Sequence, residues 1–171
     1  MKGLIHIYCG NGKGKTTAAV GLAVRAAGAG KRVLFAQFLK PGTSSEIPVL
    51  RAAGVDVRHC GTVRGWARSM TGEQRTAAAV DYGAFLEELF RDAPDYDLLV
   101  LDEAAAACRW ELIREERLAE LLAAKPEALE TVVTGRDPGP ALMALADYVT
   151  EMKKVRHPYD RGIAAREGVE Y

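Results

Sequence analysis

Residues 3–17 read GLIHIYCGNGKGKTT, a short apolar and β-rich run followed by a glycine-rich loop and the first residues of a helix-forming stretch. This order constrains the fold more than any other feature of the chain. A glycine-rich turn from strand to helix points backbone N–H groups inward at the positive end of a helix dipole, so it can wrap linked phosphates. Lys15 supplies a point charge for phosphate oxygens, and Thr16 supplies a hydroxyl for Mg²⁺. The strict phosphate-loop pattern, GxxxxGK[ST], wants glycine where Cys9 stands. The stretch Gly10, Asn11, Gly12, Lys13, Gly14, Lys15, Thr16 satisfies a shortened version, with Thr17 beside it.

The rest of the chain alternates in the way this beginning demands. Apolar strand-like runs at 32–38 (RVLFAQF), 55–59 (VDVRH), 97–103 (DLLVLDE), 128–136 (ALETVVTGR) and 148–155 (YVTEMKKV) are separated by helical patterns. The predicted helices are an Ala-rich one after the loop, apolar nearly all round, and a short one from Ser44 or Ser45 to Ala53. Three more follow: a long amphipathic one over 73–93, one over 110–124, and a short one over 137–146. Uniformly apolar strands alternating with helices imply an α/β fold, a mainly parallel sheet covered on both faces, in one domain spanning 1–171. The tail from 156 to 171 has no clear period. In such folds ligands sit at the carboxyl ends of the strands. The glycine loop, Asp102–Glu103 and Thr134–Arg136 all fall at such ends.

The acids closing DLLVLDE are the second signature. Delivered to the same sheet edge as the loop, a carboxylate there can hold Mg²⁺ directly or through water. A nucleoside polyphosphate with Mg²⁺ is therefore the expected ligand. Spacing alone leaves open an ATPase, a kinase, another displacement or a nucleotide-sensing binding module. Composition narrows the setting. Lys+Arg and Asp+Glu are both 23, so no global field draws the chain to nucleic acid or a membrane surface, and any anion site is local. Cys9, Cys60 and Cys108 form no CxxC pair, which fits a reducing, cytoplasmic setting rather than a disulfide framework or zinc site. No apolar run approaches the roughly 20 residues of a membrane helix.

Read together, GNGKGKTTAA (10–19), AQFLK (36–40), the Glu46 segment leading into GVDV (54–57), DLLVLDE, VVTGR (132–136), DYVTEM (147–152) and HPYDRGIAAREGVEY (157–171) resemble the ATP:corrinoid adenosyltransferases. The resemblance covers nearly the whole chain. It implies a phosphate-loop NTPase-like fold in which a Co(I) corrinoid attacks the ribose 5′ carbon of ATP and the whole triphosphate leaves. It further implies that Gly12 to Thr16 hold the triphosphate, that Asp102 and Glu103 serve Mg²⁺ with Glu103 the closer contact, and that Arg136 reaches phosphate or the ribose side. Lys15 and Glu103 are the expected catalytic residues. A reducing flavoprotein and a homodimer are implied as partners.

Two stretches depart from the family pattern. Longer members carry a segment ahead of the first strand that can cover the site; here the strand begins at Gly3, so cover is expected from elsewhere or from a partner subunit. Relatives often show Gly-Phe-Thr-Trp against the corrin ring, where this chain has GTVRGWARSM (61–70), with Trp66 standing for the tryptophan and Arg64 for the phenylalanine. The resemblance also implies an ordered tail near the nucleotide or an interface, against the loose terminus that composition alone suggests.

Overall fold

The computed structural model describes residues 2–60 and 70–170. Six strands form one sheet: β1 (Ile5–Cys9), β2 (Val33–Gln37), β3 (Asp56–His59), β4 (Leu98–Asp102), β5 (Glu130–Thr134) and β6 (Tyr148–Glu151). Their order is β3-β2-β4-β5-β1-β6, and every neighbouring pair is parallel. Parallel strands need crossovers, and the chain supplies them with α1 (Lys15–Gly28), α2 (Ile47–Ala52), α3 (Gly72–Asp92), α4 (Ala104–Arg109), α5 (Glu115–Ala123) and α6 (Pro140–Leu145).

The two-residue side-chain period of a strand sorts the apolar residues into two cores. Val33 and Phe35 of β2, Leu98 and Val100 of β4 and Val132 of β5 pack with α1 and α2. Their neighbours Leu34, Ala36, Leu99, Leu101 and Val133 pack with residues of α3 to α6 on the other face. The central strands β2 and β4 are thus buried on both sides at every position. β6 is exposed along its length, as the edge strand beyond β1.

Four elements differ from the sequence-based expectation. The predicted helix over 110–124 is shorter than expected: Glu111 takes a left-handed φ of 57°, residues 110–114 are not helical, and α5 begins only at Glu115. The alanine run before it, unassigned from sequence, forms α4, whose first four residues are all buried directly after β4. Although α1 is apolar nearly all round, it buries one stripe, Ala19, Ala23 and Ala26, while Val24 on another face is 41% exposed. The last strand stops at Glu151, since the backbone of Met152 turns to bond the glycine loop: its N–H donates to Cys9 O and its carbonyl accepts from Gly12 N–H.

Long helix α3 begins with a capping box, Thr71 and Gln74 satisfying each other's backbone N–H groups. It reaches the sheet edge through Tyr82, which is fully buried and whose hydroxyl accepts from Leu39 N–H at 3.2 Å. Leu39 carries a left-handed φ of 59°, a conformation that a branched side chain adopts only when its surroundings hold it there. Burial also pushes the Tyr82 phenol up to about 12. Tyr82→Phe leaves the Leu39 N–H without its partner, so it should destabilise the fold by about 1–3 kcal/mol. Urea unfolding of wild type and variant reads this directly.

Candidate active site

The carboxyl ends of β1, β2, β4 and β5 meet at one place. Between β1 and α1 the loop passes through Gly14, whose φ of 115° suits glycine and directs the chain into the first turn of α1. Gly12 is required for a different reason. A Cβ there would stand 2.6 Å from the carbonyl oxygen of Met152, against which its own N–H bonds. Asn11 adds a second tie, its side-chain oxygen accepting from Lys154 N–H at 2.8 Å. The loop is therefore held on one side by the segment that leaves β6.

Lys15 is buried and its ammonium donates to the carbonyls of Gly10 and Gly12 at 2.9 and 2.8 Å. Folded back over its own loop, it shapes the cradle and places a cation in it. Burial holds the Lys15 amine below its ordinary range, opposed by the nearby Glu103 carboxylate. A pocket of about 250 Å³ opens over the cradle. It is lined by residues 11–17, by Glu103 and Arg136, and by His157, Val169 and Glu170 of the tail.

Beside the pocket lies a hydrogen-bonded cluster around Asp102, a carboxylate with 0% exposure. Thr16 Oγ1 and Thr134 Oγ1 both donate to Asp102 Oδ1, at 2.9 and 2.8 Å. Lys40 Nζ donates to Asp102 Oδ2 at 2.8 Å and to Thr16 Oγ1 at 3.2 Å. Thr134 Oγ1 in turn accepts from Glu103 N–H at 2.9 Å. Glu103 sits at a left-handed φ of 62°, which turns the chain sharply out of β4 and into α4. Burial, with Asp102 beside it, holds the Glu103 carboxyl above its usual range, although Lys40, Lys15 and Arg136 pull the other way.

Of the residues singled out from the sequence, Asn11 to Thr17, Glu103 and Arg136 share the pocket, and Asp102 lies against Thr16 at its base. Gly10 contributes its carbonyl to Lys15. The carboxylate that bonds Thr16 is Asp102, while Glu103 is among the residues lining the pocket. Trp66 and Arg64 lie outside the described residues. The tail residues His157, Val169 and Glu170 line the site, as the family resemblance implied and composition did not. Residue-by-residue reading missed Lys40, which stood within the quoted motif AQFLK, because a lysine after a strand carries no signal until the strands are ordered. Thr134 was placed at a ligand-facing strand end, but its bond to Asp102 was not foreseen.

His6 bonds Glu130 at 2.5 Å and stacks near Tyr148, which gives it a structural role within the sheet edge. Cys9 is buried with its thiol pushed up by desolvation, in keeping with a small apolar filler.

The comparisons with known proteins agree with this geometry. The family described as ATP:corrinoid adenosyltransferase BtuR/CobO/CobP matches residues 1–171. The chain is 36% identical to the corrinoid adenosyltransferase CobA of Salmonella typhimurium, over 99% of its own length and 86% of that protein's. It is 34% identical, with the same coverages, to the corrinoid adenosyltransferase of Escherichia coli. Among solved structures it is similar to a KaiC-like protein from Pyrococcus horikoshii, with a TM-score of 0.55 and 18% identity over 89% of this chain and 73% of that one. The last similarity speaks for the fold alone, a parallel α/β sheet covered by helices.

The Asp102 cluster is predicted to hold the site together mechanically. Thr134→Val keeps the shape but removes one of the three donors to a buried carboxylate and the acceptor of Glu103 N–H. It should cost about 1–3 kcal/mol of stability, measured by urea unfolding.

Proposed function

The chain belongs to the ATP:corrinoid adenosyltransferase family, and on that premise we infer that it transfers the 5′-deoxyadenosyl group of ATP to the Co(I) centre of a reduced corrinoid. The observation that carries the assignment of roles is that the lysine-bearing loop and Arg136 line one pocket. In the reaction the cobalt electron pair forms the Co–C5′ bond, and the C5′–O pair departs with the triphosphate. Co(I) brings no proton to be removed, so the site needs no general base. What it needs is a cradle for a leaving group that gains charge as the bond breaks.

Loop N–H groups at the start of α1, with the Lys15 and Arg136 cations, supply that cradle. The Thr16 hydroxyl and the Asp102 carboxylate are hard oxygen donors beside it, the kind Mg²⁺ takes when substrate phosphates complete its shell, and Glu103 faces the same space. Bound there, Mg²⁺ would neutralise phosphate charge. Among the described residues no cluster of three or more His, Cys, Asp or Glu forms a separate metal cage. Lys15 and Glu103 are the proposed catalytic residues, the first by contact with phosphate oxygens and the second by its place on the pocket wall.

On the corrinoid side, Trp66 is proposed to pack against the ring, in the position of the family's tryptophan. The whole chain would act as one nucleotide-binding unit in the cytoplasm, as a homodimer fed by a reducing flavoprotein. No helix among the described residues is long and apolar enough to cross a membrane.

The decisive test is product identity. With MgATP and a chemically reduced corrinoid, phosphorus NMR should detect tripolyphosphate alongside an adenosylcobalt product. ADP plus phosphate would instead mark a kinase or ATPase, and an unchanged ATP spectrum a binding module. Lys15→Met, which removes the cation from the cradle, should lower kcat by about 10²–10³, the range seen when one preorganised donor to a developing anion is removed. Trp66→Ala should raise the corrinoid KM or reduce turnover more than twofold in a steady-state assay; a smaller change refutes the ring contact.

A further inference from the structure

The Lys40 ammonium stands where the arrangement above would put a divalent cation. It donates to Asp102 Oδ2 and to Thr16 Oγ1, at 2.8 and 3.2 Å, so it occupies the lone pair of the hydroxyl that a metal needs. Thr16 still donates its own proton to Asp102 Oδ1, which leaves that lone pair as its contribution to a cation. Two positive charges cannot share this position, since at contact distance inside a protein their repulsion is several kcal/mol on any reasonable dielectric. Yet Asp102 cannot be left bare. It has no exposure, and a buried carboxylate stripped of its cation is strongly unfavourable.

We propose that Lys40 is an internal counter-ion that holds the Thr16–Asp102 position in the nucleotide-free protein and is displaced by the divalent cation that enters with ATP. This rests on the reading of Thr16 and Asp102 as cation-binding groups.

The build of the segment suits an exchange. Lys40 follows Leu39, held at its left-handed φ by the Tyr82 hydroxyl. Its own side chain is 26% exposed, unlike the fully enclosed Asp102, so the ammonium has an outward path to solvent. The two threonine hydroxyls can stay in place, because they approach Oδ1 while, among the described residues, the lysine alone approaches Oδ2. The consequence is selectivity for the complex over its parts. Free Mg²⁺ alone must evict a tethered cation, whereas Mg²⁺ delivered on a triphosphate brings anionic charge that can receive it. The protein is thereby kept from holding a metal without its nucleotide.

The test measures Mn²⁺ binding, by the loss of its free EPR signal, to protein without nucleotide. Wild type and Lys40→Arg, which keeps the charge, should bind weakly. Lys40→Met and Lys40→Gln should each bind at least about tenfold more tightly, a difference of about 1.4 kcal/mol. Mn²⁺ should also raise the melting temperature of those two variants, which have lost their counter-ion, and leave that of wild type nearly unchanged. Affinities within twofold of wild type for both neutral variants overturn the proposal. Thr16→Ala in the presence of ATP separates the two layers. If it binds Mn²⁺ as wild type does, the cation position itself is misassigned and Lys40 falls with it. If it loses Mn²⁺ while the neutral Lys40 variants gain nothing, only the counter-ion role is wrong.

Discussion

A carboxylate sealed from solvent needs hydrogen-bond partners, and Asp102 draws them from three other parts of the chain. Thr16 comes from the first turn of α1, Thr134 from the end of β5, Lys40 from beyond β2, and Asp102 itself from the end of β4. Satisfying this one group fixes how the helix that follows the glycine loop sits over the sheet. The glycine loop, the Glu103 turn and the position of the β2 exit segment are tied together through it. Removing one partner of a buried ion pair generally costs about 3–5 kcal/mol, a large part of what a domain of this size has to spare.

Electrostatics here are local by construction. With 23 acidic and 23 basic residues the chain has no net charge to steer an anion from afar. Lys15 and Arg136 are instead concentrated in one pocket, which Glu103 also lines. For a displacement at carbon with a polyphosphate leaving group, such a site has a single task. It must stabilise negative charge that grows on the departing oxygen, and preorganised cations and N–H groups do this without reorganising at the moment of reaction.

The far end of the chain completes what the near end begins. Met152 bonds Cys9 and Gly12, Lys154 bonds Asn11, and the tail carries His157, Val169 and Glu170 to the pocket wall. A tail with little regular structure beyond a 3₁₀ turn at Pro158–Arg161 thus becomes part of the site. Its order comes from the surfaces it lies on rather than from any periodicity of its own.

Much was legible before folding. The strand–loop–helix order at residues 3–17, the apolar strands and the acids at 102 and 103 pointed to a parallel α/β sheet with the glycine loop and both acids at its carboxyl edge, because backbone dipoles and strand periodicity are local properties. The break at Glu111, the helix over 104–109 and the single buried stripe of α1 were not legible. They follow from packing against neighbours rather than from the residues' own preferences. Nor does the chain order announce that Lys40 and Thr134 meet at Asp102, 62 and 32 residues away in sequence. That meeting exists only because β4 lies between β2 and β5, and strand order is decided by which faces bury together. The sequence determined what the loop could hold; the sheet's order decided which charges stand beside it.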